Sequence, residues 1–122
     1  MNMERKKYKL RPVKGAHWFS RAYHKGKVYA GKNLVLYVLP SRDKTRTLLG
    51  ITVSKKRGHA VVRNRVKRWI RESFRRYLPV LKNGYIIVVV AKQPAVNAGF
   101  AVLSAEVGYL LGKATLSDEE PQ

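Results

Sequence analysis

The chain has 122 residues, 45% of them apolar, and a formal net charge of +19 from 26 Lys and Arg against 7 Asp and Glu. That length suits one domain, and the apolar share is enough for a core, which excludes a disordered basic tail. The lack of cysteine excludes disulfides, thiolate zinc sites and cysteine nucleophiles, and no apolar run of about eighteen residues is present to span a bilayer.

Residues 1–14 are densely basic and contain Pro12, a pattern that predicts a flexible arm. They lead into no apolar stretch, so they do not read as a secretory signal. One domain is expected over residues 15–114, with a polar, acidic tail over 115–122. "AHWFSRAYHKG" predicts a short helix ended by Gly26, with Phe19 and Tyr23 paired at i,i+4. A short strand near Val28–Ala30 follows, then a turn at Gly31–Asn33 and a strand over Leu34–Leu39. "TLLGITVS" predicts a third strand. Leu49, Ile51 and Val53 fall on one side of it, and Gly50, Thr52 and Ser54 on the other. The small polar side suits the floor of an open groove. An antiparallel sheet that wets one face gives the same pattern.

"KKRGHAV" leads into a long helix, Ala60–Leu78, stopped by Pro79. Val62, Val66, Trp69, Ile70, Phe74, Tyr77 and Leu78 form one apolar stripe on it. "GYIIVVVAKQP" is apolar on both faces over Tyr85–Ala91 and predicts an interior strand with a parallel neighbour. Phe100, Leu103, Val107, Leu110, Leu111 and Ala114 mark a last amphipathic helix.

The long helix carries the charge. Between Arg63 and Arg76 stand seven cations and one acid, Glu72. With the stripe inward, Arg63, Lys67, Arg71 and Arg75 form one outward i,i+4 row, and Asn64 and Arg68 lie beside it. Arg65 and Arg76 lie further round. The row rises roughly 18 Å from end to end, long enough to follow several phosphates. A solvated helix face normally mixes signs, because i,i+4 opposite charges stabilise and like charges repel. Here the counter-charge has to come from a polyanion; nucleic acid and an anionic membrane surface both qualify, and the apolar face that must fill the core favours nucleic acid. Lys55, Lys56 and Arg57 precede the helix start, where free backbone N–H groups already favour an anion. Phe19, Tyr23 and Tyr37 are candidates to stack on bases of a single strand, and their spacing suits a core equally well. Trp18 reads as core.

No catalytic constellation accompanies this charge. His17, His24 and His59 are scattered, and paired carboxylates for metal-assisted phosphodiester cleavage are missing. No metal ligands are predicted, and His59 reads as a helix-start or RNA-contact residue.

Residues 50–74, "GITVSKKRGHAVVRNRVKRWIRESF", resemble the protein subunit of bacterial ribonuclease P. The likeness rests on Arg63-Asn64-Arg65, Lys67-Arg68 and Arg71-Glu72, with the preceding "SKK". Upstream Phe19, Tyr23 and Gly26, the "LVLYVL" strand and "YIIVVVAKQPA" extend it to about residues 10–112. His59 departs from it, standing where Asn is common. So does Leu48, standing where Arg is common with Arg46 as a substitute, and so does Tyr23, in place of Phe.

The resemblance implies an α+β sandwich of order α-β-β-β-α-β-α, with a four-stranded mixed sheet and a left-handed βαβ crossover, related to a ribosomal protein domain. General handedness rules give a right-handed crossover instead. It implies an endoribonuclease subunit acting in maturation of the 5′ end of tRNA, and the lack of cysteine makes a cytoplasmic protein the simplest reading. Catalysis and magnesium then belong to the RNA subunit, with no cofactor bound by the protein and no obligate protein partner. Matching positions place Phe19, Tyr23, Val35, Tyr37, Thr52 and Ser54 in a groove for the single-stranded leader of precursor tRNA. They place Arg63, Asn64, Arg65, Lys67, Arg68 and Arg71 against the catalytic RNA. A non-enzymatic RNA-binding module, such as a ribosomal protein, is the alternative that composition alone leaves open.

Overall fold

A computed structural model describes residues 10–12 and 16–116. Its strands are β1 (Leu10–Pro12), β2 (Lys27–Ala30), β3 (Leu34–Pro40), β4 (Thr47–Thr52) and β5 (Tyr85–Ala91). Its helices are α1 (Ala16–Lys25), α2 (Ala60–Arg76) and α3 (Phe100–Lys113), and short 3-10 turns span Lys55–Arg57 and Gln93–Asn97.

The strands form one mixed sheet in the order β1-β4-β5-β3-β2. β4 and β5 are parallel neighbours joined through α2, and β3 runs antiparallel to both β5 and β2. β5 therefore lies inside the sheet, as its two-sided apolar run demands. The four strands β2–β5 are the expected mixed sheet. Leu10–Pro12 add a fifth at the edge, parallel to β4. Those three residues fall within the stretch expected to be an arm; the rest of that arm lies outside the described residues. An edge is where a proline, which has no N–H to donate, fits a sheet.

Helices cover both faces. On one face α2 and α3 pack over Leu34, Leu36, Val38, Leu49, Ile87 and Val89, and bury Val66, Ile70, Phe74, Leu103, Val107, Leu110 and Leu111. On the other, α1 lays Trp18, Phe19 and Ala22 over Leu39, Ile86 and Val88. Burial of Val66, Ile70 and Phe74 is worth roughly 1.5–3 kcal/mol each. Like-charge repulsion along the α2 row is a few tenths of a kcal/mol per pair. The apolar stripe therefore decides the helix, and its cations are free to serve another purpose.

The packed unit continues past the expected boundary at residue 114. α3 ends with Thr115 in the left-handed region, φ 56°. The Leu116 N–H then donates back to the Leu111 carbonyl at 2.9 Å, and the Leu116 carbonyl accepts from the Lys82 N–H at 2.7 Å. Leu116 is only 2% exposed. This helix stop holds the first two residues expected in the tail; the remainder lies outside the described residues.

One long-range contact fixes the β2–β3 turn. The Glu106 carboxylate, on α3, accepts from the Asn33 N–H at 3.0 Å, the Asn33 side-chain amide at 2.9 Å and the Leu34 N–H at 2.6 Å. A Cβ on Gly31 would lie 2.6 Å from the same carboxylate, so the close approach needs glycine. Glu106→Ala strands these donors in a nearly buried turn, and the expected loss is about 2–4 kcal/mol of folding stability. Urea unfolding of the variant beside the parent measures it.

Candidate nucleic-acid interface

Two surfaces gather the residues singled out by sequence. The first is the outer arc of α2. Asn64, Arg65, Arg68, Arg71, Arg75 and Arg76 are exposed there, and Arg63 and Lys67 are half-buried. Their surroundings divide them. Lys67, Arg68 and Arg71 have no acid partner among the described residues. Arg65 lies over the Trp69 ring, 5.4 Å from its centroid, an arrangement that holds a guanidinium while leaving its N–H edge to solvent. Arg63 Nε donates to the Gly58 carbonyl at 3.2 Å. Arg75 pairs with Glu72 at 2.6 Å, an exposed contact of little worth that a phosphate can replace. Arg76 turns toward α3, donating to Ser104 Oγ at 3.1 Å and covering Phe100.

The approach to α2 extends this surface. Lys55 and Lys56 are exposed, while Arg57 is tied back, with Nε to the Ala91 carbonyl at 3.3 Å and a terminal nitrogen to Gln93 Oε1 at 3.2 Å. Gly58 has φ 145°, and a Cβ there would sit 3.1 Å from Val62. Only glycine makes this bend without strain, which explains the glycine after "KKR". His59 occupies the N-cap of α2 with no side-chain cap bond, so it is a helix-start residue whose ring stays exposed.

The second surface is the α1 face of the sheet. Register aligns Val35 with Val90 and Val90 with Thr52, in one row across β3, β5 and β4. The next row holds Tyr37, Val88 and Gly50. Tyr37 meets Tyr23 edge to face, with ring centroids 4.9 Å apart. Phe19 is half-buried beside them, Tyr23 is 41% exposed, and Ser54 is exposed just beyond β4. Phe19, Tyr23, Val35, Tyr37, Thr52 and Ser54 thus border one trough. Phe19 and Tyr37 are core on one side and surface on the other, so neither reading of the aromatics excludes the other. Val90 belongs to the trough and was missed, whereas the β4 alternation had already placed Gly50 on this side. Val90 lies in a strand apolar on both faces, where alternation cannot single it out. The small size of Gly50 keeps the floor low.

Every described carboxylate is engaged. Asp43 is held below the usual carboxylate range by hydrogen bonds from the Thr45 hydroxyl and backbone N–H, with Arg46 adding charge attraction. Glu72 pairs with Arg75, and Glu106 holds the β2–β3 turn. Among the described residues no cluster of three or more His, Asp or Glu is placed to hold a metal ion. No helix of the described residues is long and apolar enough to cross a membrane.

The ribonuclease P family model matches residues 6–115, a span that includes the α2 arc and the whole trough. The chain belongs to the ribonuclease P protein family. A ribonuclease P protein component of Caldanaerobacter subterraneus is 39% identical over 112 residues, covering 92% of this chain and 96% of the relative. One from Clostridium kluyveri is 41% identical over 100 residues, covering 80% and 88%. Among solved structures, the Staphylococcus aureus RNase P protein matches with TM-score 0.76 at 31% identity, covering 90% of this chain and 100% of that one. The Thermotoga maritima RNase P protein matches with TM-score 0.74 at 25% identity, covering 90% and 98%. As a ribonuclease P protein component, the chain is part of an endoribonuclease complex of tRNA processing and associates with a ribonuclease P RNA.

Proposed function

We propose that this ribonuclease P protein binds the catalytic RNA through the outer arc of α2 with Lys55 and Lys56, and holds the single-stranded 5′ leader of precursor tRNA in the α1 trough. The RNA subunit carries the chemistry. The observation that carries this reading is the one-signed arc: seven cations on α2 face one acid, and that acid is already paired. A polyphosphate strand is the partner that such an arc fits. The trough adds aromatic and small side chains, and bases of a single strand would stack on the exposed parts of Phe19, Tyr23 and Tyr37.

The described residues do not fit a directly bound magnesium ion. Asp43, Glu72 and Glu106 stand on three separate elements, and each is committed to partners of its own within the fold. In this reading magnesium acts through the RNA subunit. The working compartment in this reading is the cytoplasm, and no obligate protein partner is needed.

Removing a stacking ring tests it. Tyr23→Ala, assembled with a ribonuclease P RNA, binds leader-bearing precursor about tenfold more weakly and mature tRNA as before, since one stacked base is worth about 1–3 kcal/mol. Tyr23→Phe retains most of the affinity. Equilibrium titration with the two labelled RNAs measures both. Equal losses for precursor and mature tRNA would point instead to a general RNA-binding module.

A further inference from the structure

The α1 helix has two flanks, and the trough uses one of them. At 100° per residue, Phe19 and Tyr23 fall on one side of the sheet-facing Ala22, and Trp18 and Arg21 on the other. Against that second flank lies a cleft of about 490 Å³, bounded by Trp18, Arg21, Arg42, Asp43, Leu48 and Ile86.

Its lining has two kinds of chemistry. The floor and one wall are apolar: Leu48 and Ile86 from the sheet, with the Trp18 indole beside them. The rim is cationic. The Arg21 guanidinium lies 5.9 Å from the Trp18 ring centroid, held over it with N–H donors outward. Arg42 stands exposed on the β3–β4 loop opposite. Asp43 is the one acid of the lining, and its charge is turned into its own loop, toward Arg46 at 3.0 Å and the Thr45 N–H at 2.9 Å. The net field at the rim therefore favours an anion, above a floor that favours a flat apolar surface. A nucleotide unites the two.

Position decides which strand supplies it. The cleft opens on the α1 face of the sheet, whereas α2 with its cationic arc covers the opposite face. Along the strands, the row of Thr52 and Val90 lies four residues from that of Leu48 and Ile86, about 13 Å. We propose that this cleft is a distal leader subsite, binding an unstacked nucleotide of the same single strand further from the tRNA body than the part held in the trough. Arg21 and Arg42 contact phosphate, and the base lies on the apolar floor beside Trp18. The inference rests on the proposed leader role of the trough.

The test compares leader lengths in the assembled holoenzyme. Precursors with leaders of about four and about twelve nucleotides fall within the range that one single-strand-binding domain covers. The parent binds the long leader more tightly than the short one. Arg42→Glu, on an exposed loop where folding is little disturbed, removes about tenfold of affinity for the long leader and leaves the short one unchanged. Arg42→Lys restores much of the loss, and Trp18→Ala repeats it if the variant's circular dichroism and melting match the parent. Equal weakening of both leaders, no change with either, or a loss confined to RNA-subunit binding each overturns the subsite. Tyr23→Ala separates the two readings. If it leaves short-leader binding intact, the trough assignment fails on its own, whatever Arg42 does.

Discussion

Replacing Arg65, Arg68 and Arg71 together by alanine weakens binding to a ribonuclease P RNA about a hundredfold at about 0.1 M salt, while the protein itself becomes no less stable. About six phosphate contacts give a log–log salt slope of about −4 to −5, and deleting three of them roughly halves it. The stability expectation runs the other way for two reasons. Alanine is the better helix former, and removing cations relieves repulsion along the exposed side of α2. Filter binding across a salt series, with thermal melting of the free protein, measures both. A loss of affinity accompanied by a comparable loss of stability would mean that the arc is structural.

Phe74→Ala gives the reverse pattern. Phe74 is 0% exposed, on the inner side of the same helix, and belongs to the cluster that joins α2, α3 and the sheet. Truncating it removes apolar contacts and leaves a cavity, with an expected loss of about 3–5 kcal/mol. Domains of this size hold roughly 5–15 kcal/mol in all, so the variant gives up a large share of its stability. Urea denaturation shows the shift. Excess RNA moves the melting temperature back upward by mass action, because the outer arc is intact in whatever fraction is folded.

The two variants mark what the sequence made readable. The α2 stripe was legible because periodicity and burial are the same fact for a helix packed on one side, and Val66, Ile70 and Phe74 lie where spacing predicted. The β4 alternation was legible for the same reason: Leu49 and Val53 entered the core and Leu48 the α1 face. Three things were hidden. β1 is three residues long and carries no period of its own; only pairing with β4 makes it a strand. The Glu106 contact spans more than seventy residues and connects a helix to backbone N–H groups, for which side-chain patterns give no signal. The different surroundings of the α2 cations depend on neighbours brought by other elements, such as Ser104 and Phe100 beside Arg76. Spacing placed these cations on an arc and could not tell which were already engaged.

The commitment of Asp43, Glu72 and Glu106 to partners within the fold has a kinetic consequence. With those carboxylates absorbed at short range, a polyanion diffusing in from most directions meets attraction of a single sign. Encounter rates then approach the steered limit in dilute buffer and fall steeply as ions are added. Such capture is indiscriminate, so the choice between the correct strand and any other has to be made afterwards, in how long each one stays.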